Sequence, residues 1–243
     1  MLKFFSKLHF LINITIKIYN IIPMPIINNL ELVKAYRKIF FYLNFENIEG
    51  DYLEFGVYEG SSMISAYYAN KSTSKVDNIV ITKRPPERKF IGFDSFEKGF
   101  KYFVKEDKHE NWYEGLLQSS YIKTKKKIEK ISKNSFFLVN GFIEQTIPEI
   151  KKNKNMVEGH QINKIAAILI DVDLKSPALE ALKFCKNKLQ KGSIIIIDNY
   201  FYFKGDKSKG ERGALIEAFK DNNVTLEEFG NYGISGKIFI VLK

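Results

Sequence analysis

The sequence predicts a doubly wound α/β domain, and three observations carry that expectation. The stretches Ile165 to Ile170 and Ser193 to Ile197 are apolar at nearly every position, as strands are when helices cover both faces of a parallel sheet. Around them, segments with apolar residues at helical spacing alternate with short apolar runs. Acidic and amide residues stand at or just past strand ends, at Asp94, Asp171 and Asp198-Asn199, where such folds gather their ligands.

Composition narrows the class. With 243 residues, 45% hydrophobic and 27% charged, the chain has the make-up of a globular protein and is long enough for one large domain plus a helical extension. A single cysteine, Cys185, rules out an internal disulfide framework and fits a reducing cytoplasm; on its helix it reads as packing. The net charge of +10 comes mostly from dispersed lysine, as in Lys123 to Lys133. Clustered arginine and nucleic-acid reading motifs are both missing, so no nucleic-acid partner is expected.

The elements follow in order. Residues 1–49 read as a helical extension, with a helix from Asn28 to Leu43 after Pro23 and Pro25. The domain proper runs over 50–243. Tyr52 to Val57 reads as a strand, Gly60 to Asn70 as a helix and Phe90 to Phe93 as a strand ending in Asp94. The aromatic-rich segment 96–120 lacks periodicity and suits a flap over a pocket. Ser120 to Ser132 reads as a basic helix, Ser135 to Val139 as a strand, Ile143 to Lys151 as a helix, and the polar stretch Lys152 to Asn163 as a flexible loop. A helix from Pro177 to Leu189 joins the two apolar strands, with Pro near its start and Gly192 past its end. Glu211 to Lys220 reads as the last helix, and Val224 to Phe229 pairs with Lys237 to Leu242 to close the sheet.

The segment Leu2 to Ile22 is rich in Phe, Leu and Ile but carries Lys3, Lys7 and Lys17. Its longest uncharged run after Lys7 falls short of the roughly 18 apolar residues of a membrane span, and no small-residue cleavage site follows. Two readings stay open. Residues 1–25 either pack on the domain or on a second subunit, or rest on a membrane as an interfacial helix.

The chemistry concentrates in three places. The turn Glu54-Phe55-Gly56-Val57-Tyr58-Glu59-Gly60-Ser61-Ser62 lacks the G-x-G-x-x-G pattern and carries acids that would repel a pyrophosphate, so it suits a cationic ligand. Asp94, followed by Ser95, can accept hydrogen bonds from ribose hydroxyls or cap the segment that follows it. Asp171, Asp173, Asp198 and Asn199 stand at the ends of two strands expected side by side, about 4.8 Å apart. Asp171, Asp198 and Asn199 then offer three hard oxygen ligands for Mg²⁺ or another divalent ion, and Asp173 can take a proton from a substrate hydroxyl. Capping of the following helices is the bland alternative. His109, in the flap, is a further base or substrate contact, while His9 and His160 read as surface.

The segments GDYLEFGVYEGSS (50–62), IGFDSFEKGF (91–100), LVNGFIEQTIPEI (138–150), LIDVDLKSPALEAL (169–182), GSIIIIDNY (192–200) and GERGALIEAF (210–219) resemble, in order and spacing, the macrocin O-methyltransferase (TylF-like) family. That resemblance implies a Rossmann-like class I methyltransferase sheet, mostly parallel, seven-stranded, with an antiparallel last strand. It implies an S-adenosylmethionine-dependent and Mg²⁺-dependent enzyme that methylates a sugar hydroxyl. Glu54, Gly56, Tyr58, Gly60 and Ser61 would line the methionine end of the cofactor, Asp94 and Ser95 its ribose, and Gly141 and Phe142 its adenine, with Asp171 also at the cofactor. Asp171, Asp198 and Asn199 would hold the metal and Asp173 would be the general base. The family usually has Asp-Asp at Asp198-Asn199, whereas related catechol-type methyltransferases use Asp-Asn. Glu211 and Arg212 match the family's helix start, and a surface ion pair explains them equally. The expected acceptor is a glycoside, nucleotide-sugar or surface-polysaccharide precursor, handled by a homo-oligomer in the cytoplasm or at the inner face of the membrane; the alternatives are a catechol-like small-molecule acceptor or a non-catalytic basic α/β binding domain.

Overall fold

The structure is a computed structural model that describes residues 2–76, 87–104, 108–221 and 224–243. Residues 105–107 of the flap lie outside the described residues. A seven-stranded sheet organises the chain, in the order β3-β2-β1-β6-β7-β9-β8. Its strands are β1 (Asp51–Phe55), β2 (Phe90–Asp94), β3 (Phe136–Asn140), β6 (Ile165–Ile170), β7 (Leu189–Ile197), β8 (Leu226–Tyr232) and β9 (Gly236–Val241). β1, β2, β3, β6 and β7 pair in parallel, and β9 runs antiparallel to both neighbours. This is the doubly wound sheet that the sequence predicts, with the antiparallel closure that the family resemblance implies.

Strand alternation divides the core. Tyr52, Phe90, Leu138, Leu169 and Ile196 face α2 (Met24–Phe45), α3 (Ser61–Val76) and α4 (Tyr121–Glu129). Leu53, Phe55, Phe93, Ile168 and Ile195 face α5 (Ile143–Lys152), α6 (Lys175–Lys186) and α7 (Gly210–Ala218). Because both faces are covered, every residue of β6 is buried, which explains its unbroken apolar run. α2 belongs to this core: Tyr36, Ile39, Phe40 and Leu43 are fully buried, the 3.6-residue spacing of one helix face. α1 (Leu2–Ile21) meets α2 at a bend of 100°, and residues 11–20 are exposed throughout, so this stretch does not pack on the domain.

Three expectations change. The stretch 152–163 is not a featureless loop: β4 (Met156–Val157) and β5 (His160–Gln161) form an antiparallel ribbon. His160 is half-buried, with Nε2 2.7 Å from Asp51 Oδ2 and its ring stacked on Phe137. Gly192 ends no helix. α6 stops at Lys186, and Gly192 sits in a register shift of β7, at φ +88°, where a Cβ would lie 2.6 Å from Ile48.

Candidate active site

The C-terminal ends of the parallel strands open into a cavity of about 600 Å³. Its first wall is the β1–α3 turn. Gly56 has φ +93°, and a Cβ there would stand 1.7 Å from the Asp171 carbonyl oxygen, so only glycine lets β1 and β6 run this close. Tyr58 lines the cavity in the left-handed region, φ +51°, and the turn is held in that conformation from both sides. Asp94 Oδ2 accepts from the backbone N–H of Val57 at 2.7 Å and of Tyr58 at 2.8 Å, while its Oδ1 accepts from Phe96 N–H at 2.5 Å. The Tyr58 carbonyl accepts from Ser119 Oγ at 2.8 Å and Thr124 Oγ1 at 3.2 Å. Lys127 Nζ donates to the Glu59 carbonyl at 2.9 Å and to Ser61 Oγ at 3.3 Å.

Asp94 therefore builds the turn as well as lining the cavity. Ser61, Ser95, Gly141 and Phe142 line it too. Ser95 Oγ donates to the Gly99 carbonyl at 2.8 Å, Gly141 N–H donates to the Asp94 carbonyl at 2.9 Å, and Phe142 carries Phe103 edge-on at 5.3 Å.

Glu54 and Gly60 stand behind the residues that line the cavity. Strand alternation turns Glu54 with Tyr52 toward the other face, where it is fully buried. It accepts from Tyr52 Oη at 2.6 Å and Ser62 Oγ at 2.5 Å, and burial pushes its carboxyl up to about 7. Gly60 approaches α4 instead of the cavity: a Cβ there would lie 3.3 Å from Ile128 and Thr124.

The adjoining wall gathers the acids. Asp171, Asp173 and Asp198 all line the cavity. Burial, then the charges of Asp198 and Asp173, raises Asp171 well above the ordinary carboxylate range. Burial also raises Asp198, against hydrogen bonds from Tyr232 Oη (2.5 Å to Oδ1) and from Asn28, and Asp198 also meets Asp171. Burial, then the charge of Asp198, takes Asp173 to about 7. Asp173 stands at φ +60°, in a turn clamped by Glu211. Oε1 of Glu211 accepts from the N–H of Val172 at 2.8 Å and of Asp173 at 2.9 Å, and its Oε2 from the N–H of Asn199 at 3.0 Å. Glu211 is thus no surface ion-pair partner but a fully buried clamp. Burial, then the charge of Asp173, raises it to about 8.

Asn199 sits behind the lining, buried, and its Nδ2 donates to Asp173 Oδ1 at 2.6 Å. Among the described residues, no three His, Cys, Asp or Glu side chains form a group arranged to hold a metal ion. Nor does any lysine or arginine pair with Asp171, Asp173, Asp198 or Glu211 among them. The cavity has a charge of its own: six carboxyl side chains line it against one lysine, Lys101, inside a protein of net charge +10. Such a cavity favours a cationic ligand.

Two contributions escaped sequence reasoning. Asn28 of α2 lines the cavity, bonds Asp198, and accepts the Ile234 N–H at 2.9 Å, joining α2 to the β8–β9 turn. Ser119, Thr124 and Lys127 hold the first turn from about 60 residues away. In the flap, Phe100 and Phe103 line the cavity. His109 does not; its ring lies tilted against Trp112 at 4.3 Å and meets Phe203 edge-on at 5.0 Å.

Comparisons with known proteins agree with this architecture. No curated protein sequence matches the chain. Among solved structures, the O-methyltransferase NovP aligns with a TM-score of 0.63 at 16% identity, covering 87% of this chain and 79% of NovP. The calicheamicin methyltransferase CalS11 aligns with a TM-score of 0.63 at 18% identity, covering 86% and 77%. An apo form of CalS11, described as a TDP-rhamnose 3'-O-methyltransferase, gives 0.54 at 16% identity, covering 86% and 78%. These likenesses establish the fold. The family model of macrocin O-methyltransferase (TylF) matches residues 31–226, from within α2 to the start of β8. The chain accordingly belongs to the macrocin O-methyltransferase (TylF) family and is an S-adenosylmethionine-dependent O-methyltransferase.

Proposed function

We propose that this enzyme methylates a hydroxyl of a sugar, carried by a glycoside, a nucleotide-sugar or a surface-polysaccharide precursor, with Mg²⁺ as a second cofactor. The observation that carries the reading is the gathering of Asp171, Asp173 and Asp198 on one wall of a carboxyl-lined cavity, beside the glycine turn. The family's macrocin acceptor and the sugar nucleotide in the description of CalS11 support a sugar.

The bound cofactor supplies an electrophilic methyl group on a sulfonium. The chain's residues align and deprotonate the oxygen that attacks it. Gly56, Tyr58 and Ser61 shape the methionine end of the site, Asp94 and Ser95 the ribose end, and Gly141 and Phe142 the adenine end. Asp173, held near neutrality by its surroundings, takes the hydroxyl proton through the oxygen that Asn199 leaves free. Glu54 and Gly60 act one layer back, Glu54 by fixing Ser62 at the start of α3.

The donor set suits a small hard cation: buried carboxyls that no lysine or arginine among the described residues pairs with, with water completing the shell. Asp171 and Asp198 would hold it through carboxyl oxygens and Asn199 through Oδ1. Such an ion lowers the pKa of a bound hydroxyl.

The test is a screen of nucleotide-sugars and glycan acceptors with an isotopically labelled methyl donor, read by mass spectrometry with and without chelator. The expected product is a singly methylated sugar, lost with chelator and restored by Mg²⁺. Transfer unaffected by chelator would remove the metal from this reading, and methylation confined to non-sugar acceptors would remove the sugar.

A further inference from the structure

We propose that α1 docks the enzyme on an anionic lipid surface. Leu11, Ile18 and Ile21 are 58%, 58% and 78% exposed, and Ile12, Ile14, Ile16 and Tyr19 are exposed with them. On α2, just beyond the bend, Met24, Ile26 and Leu30 are exposed as well. So much apolar surface on adjoining helices marks an interaction site.

Charge selects the occupant. Leu2–Ile21 contains Lys3, Lys7 and Lys17 and no acidic residue. A second copy laid parallel to α1 would bring each lysine against its own equivalent. Laid antiparallel over the same span, position 7 faces position 16 and position 17 faces position 6, so Lys7 and Lys17 each fall one position from a lysine of the other copy and the like charges again lie close. A surface of anionic headgroups instead complements all three while taking the apolar side chains between them.

A transmembrane arrangement does not fit. No single helix among the described residues is long and apolar enough to cross a membrane. α2, which would have to complete a bent pair with α1, buries Tyr36, Ile39, Phe40 and Leu43 in the domain core. α1, about 30 Å long at 1.5 Å per residue, is left to lie along the surface. Pro25, Asn28, Asn29 and Leu32, in the first turns of α2, line the cavity, so docking through α1 sets the cavity beside the bilayer.

The test is co-sedimentation of the full chain with vesicles of phosphatidylcholine alone and of phosphatidylcholine with phosphatidylglycerol, with light scattering on the vesicle-free protein. Expected is several-fold more binding to the phosphatidylglycerol vesicles, weakened by salt, reduced several-fold in Lys7→Glu/Lys17→Glu and lost in Ile14→Asp/Ile18→Asp. Cofactor affinity measured by calorimetry stays unchanged in both variants, since Ile14, Lys17 and Ile18 are exposed and outside the cavity lining, and shows that they fold. Equal binding to the two vesicles, binding to neither, or a dimer that Ile14→Asp/Ile18→Asp dissociates would overturn the inference. Vesicle binding is read without methyl transfer, so its failure leaves the enzymatic reading standing.

Discussion

The side-chain amide of Asn199 donates to Oδ1 of Asp173 at 2.6 Å, binding the end of β7 to the turn after β6. Removing that donor frees the carboxyl to rotate away from the acceptor oxygen. Asn199→Ala is expected to lower kcat roughly 10- to 100-fold, the scale at which small misplacements act, with cofactor affinity retained. An unchanged kcat would show that Asp173 needs no such support.

Asp173 itself is predicted to be the proton acceptor. Asp173→Asn keeps the size of the side chain and removes its basicity, so methyl transfer should fall by about 10²–10⁴-fold while calorimetry shows cofactor binding nearly intact. Wild-type turnover in this variant would assign the base elsewhere.

Glu211 gathers three backbone N–H groups from two strand ends. In Glu211→Gln at least one of them faces an amide nitrogen that cannot accept, and a buried donor is left unpaired. The expected loss is roughly 2–4 kcal/mol in chemical denaturation, together with weaker catalysis because the Asp173 turn loosens.

Glu54 makes stability depend on pH. Its carboxyl ordinarily titrates at 4.5 and is raised to about 7 in the fold, by burial first. Between those values the folded state holds a proton that the unfolded state has released, so stability falls as pH rises from about 4.5 through about 7. The rise corresponds to roughly 3 kcal/mol for this one buried group. Denaturation of Glu54→Gln across that range should show a shallower decline than the parent, and parallel curves would assign the proton to other groups.

Gly56→Ala places a methyl group into the carbonyl of Asp171, 1.7 Å away at φ +93°. The variant is expected to lose more than about 3 kcal/mol of stability and to lose cofactor binding with it. A thermal melt matching the parent would mean that β1 and β6 can separate there.

Much of this was legible in the sequence, for particular reasons. β6 and β7 announce themselves because burial on both faces removes polar residues. Asp171, Asp173 and Asp198 stand out because acids directly after such runs have few structural uses. The partners of Glu54 were hidden, because period-two alternation turns it with Tyr52 toward Ser62 of α3, eight residues on. Glu211 looked like a surface acid, since a charged residue at a helix start gives no sign that three distant N–H groups converge on it. The bonds from Ser119, Thr124 and Lys127 to the Tyr58 and Glu59 carbonyls leave no local pattern, because they join side chains to backbone across more than fifty positions. Asn28 was hidden the same way, in a helix that read as an appendage and proves part of the core.

The missing side chain at Gly56 has one more effect. With carbonyl and α-carbon in direct contact, the floor that carries the reacting groups has no slack, and adaptation to a new acceptor falls to the ceiling formed by residues 96–120. That segment meets the floor through side chains of its own, Ser119 Oγ on the Tyr58 carbonyl and Phe103 on Phe142, so a change of acceptor is expected to be written in the residues of the ceiling while the chemistry beneath stays the same.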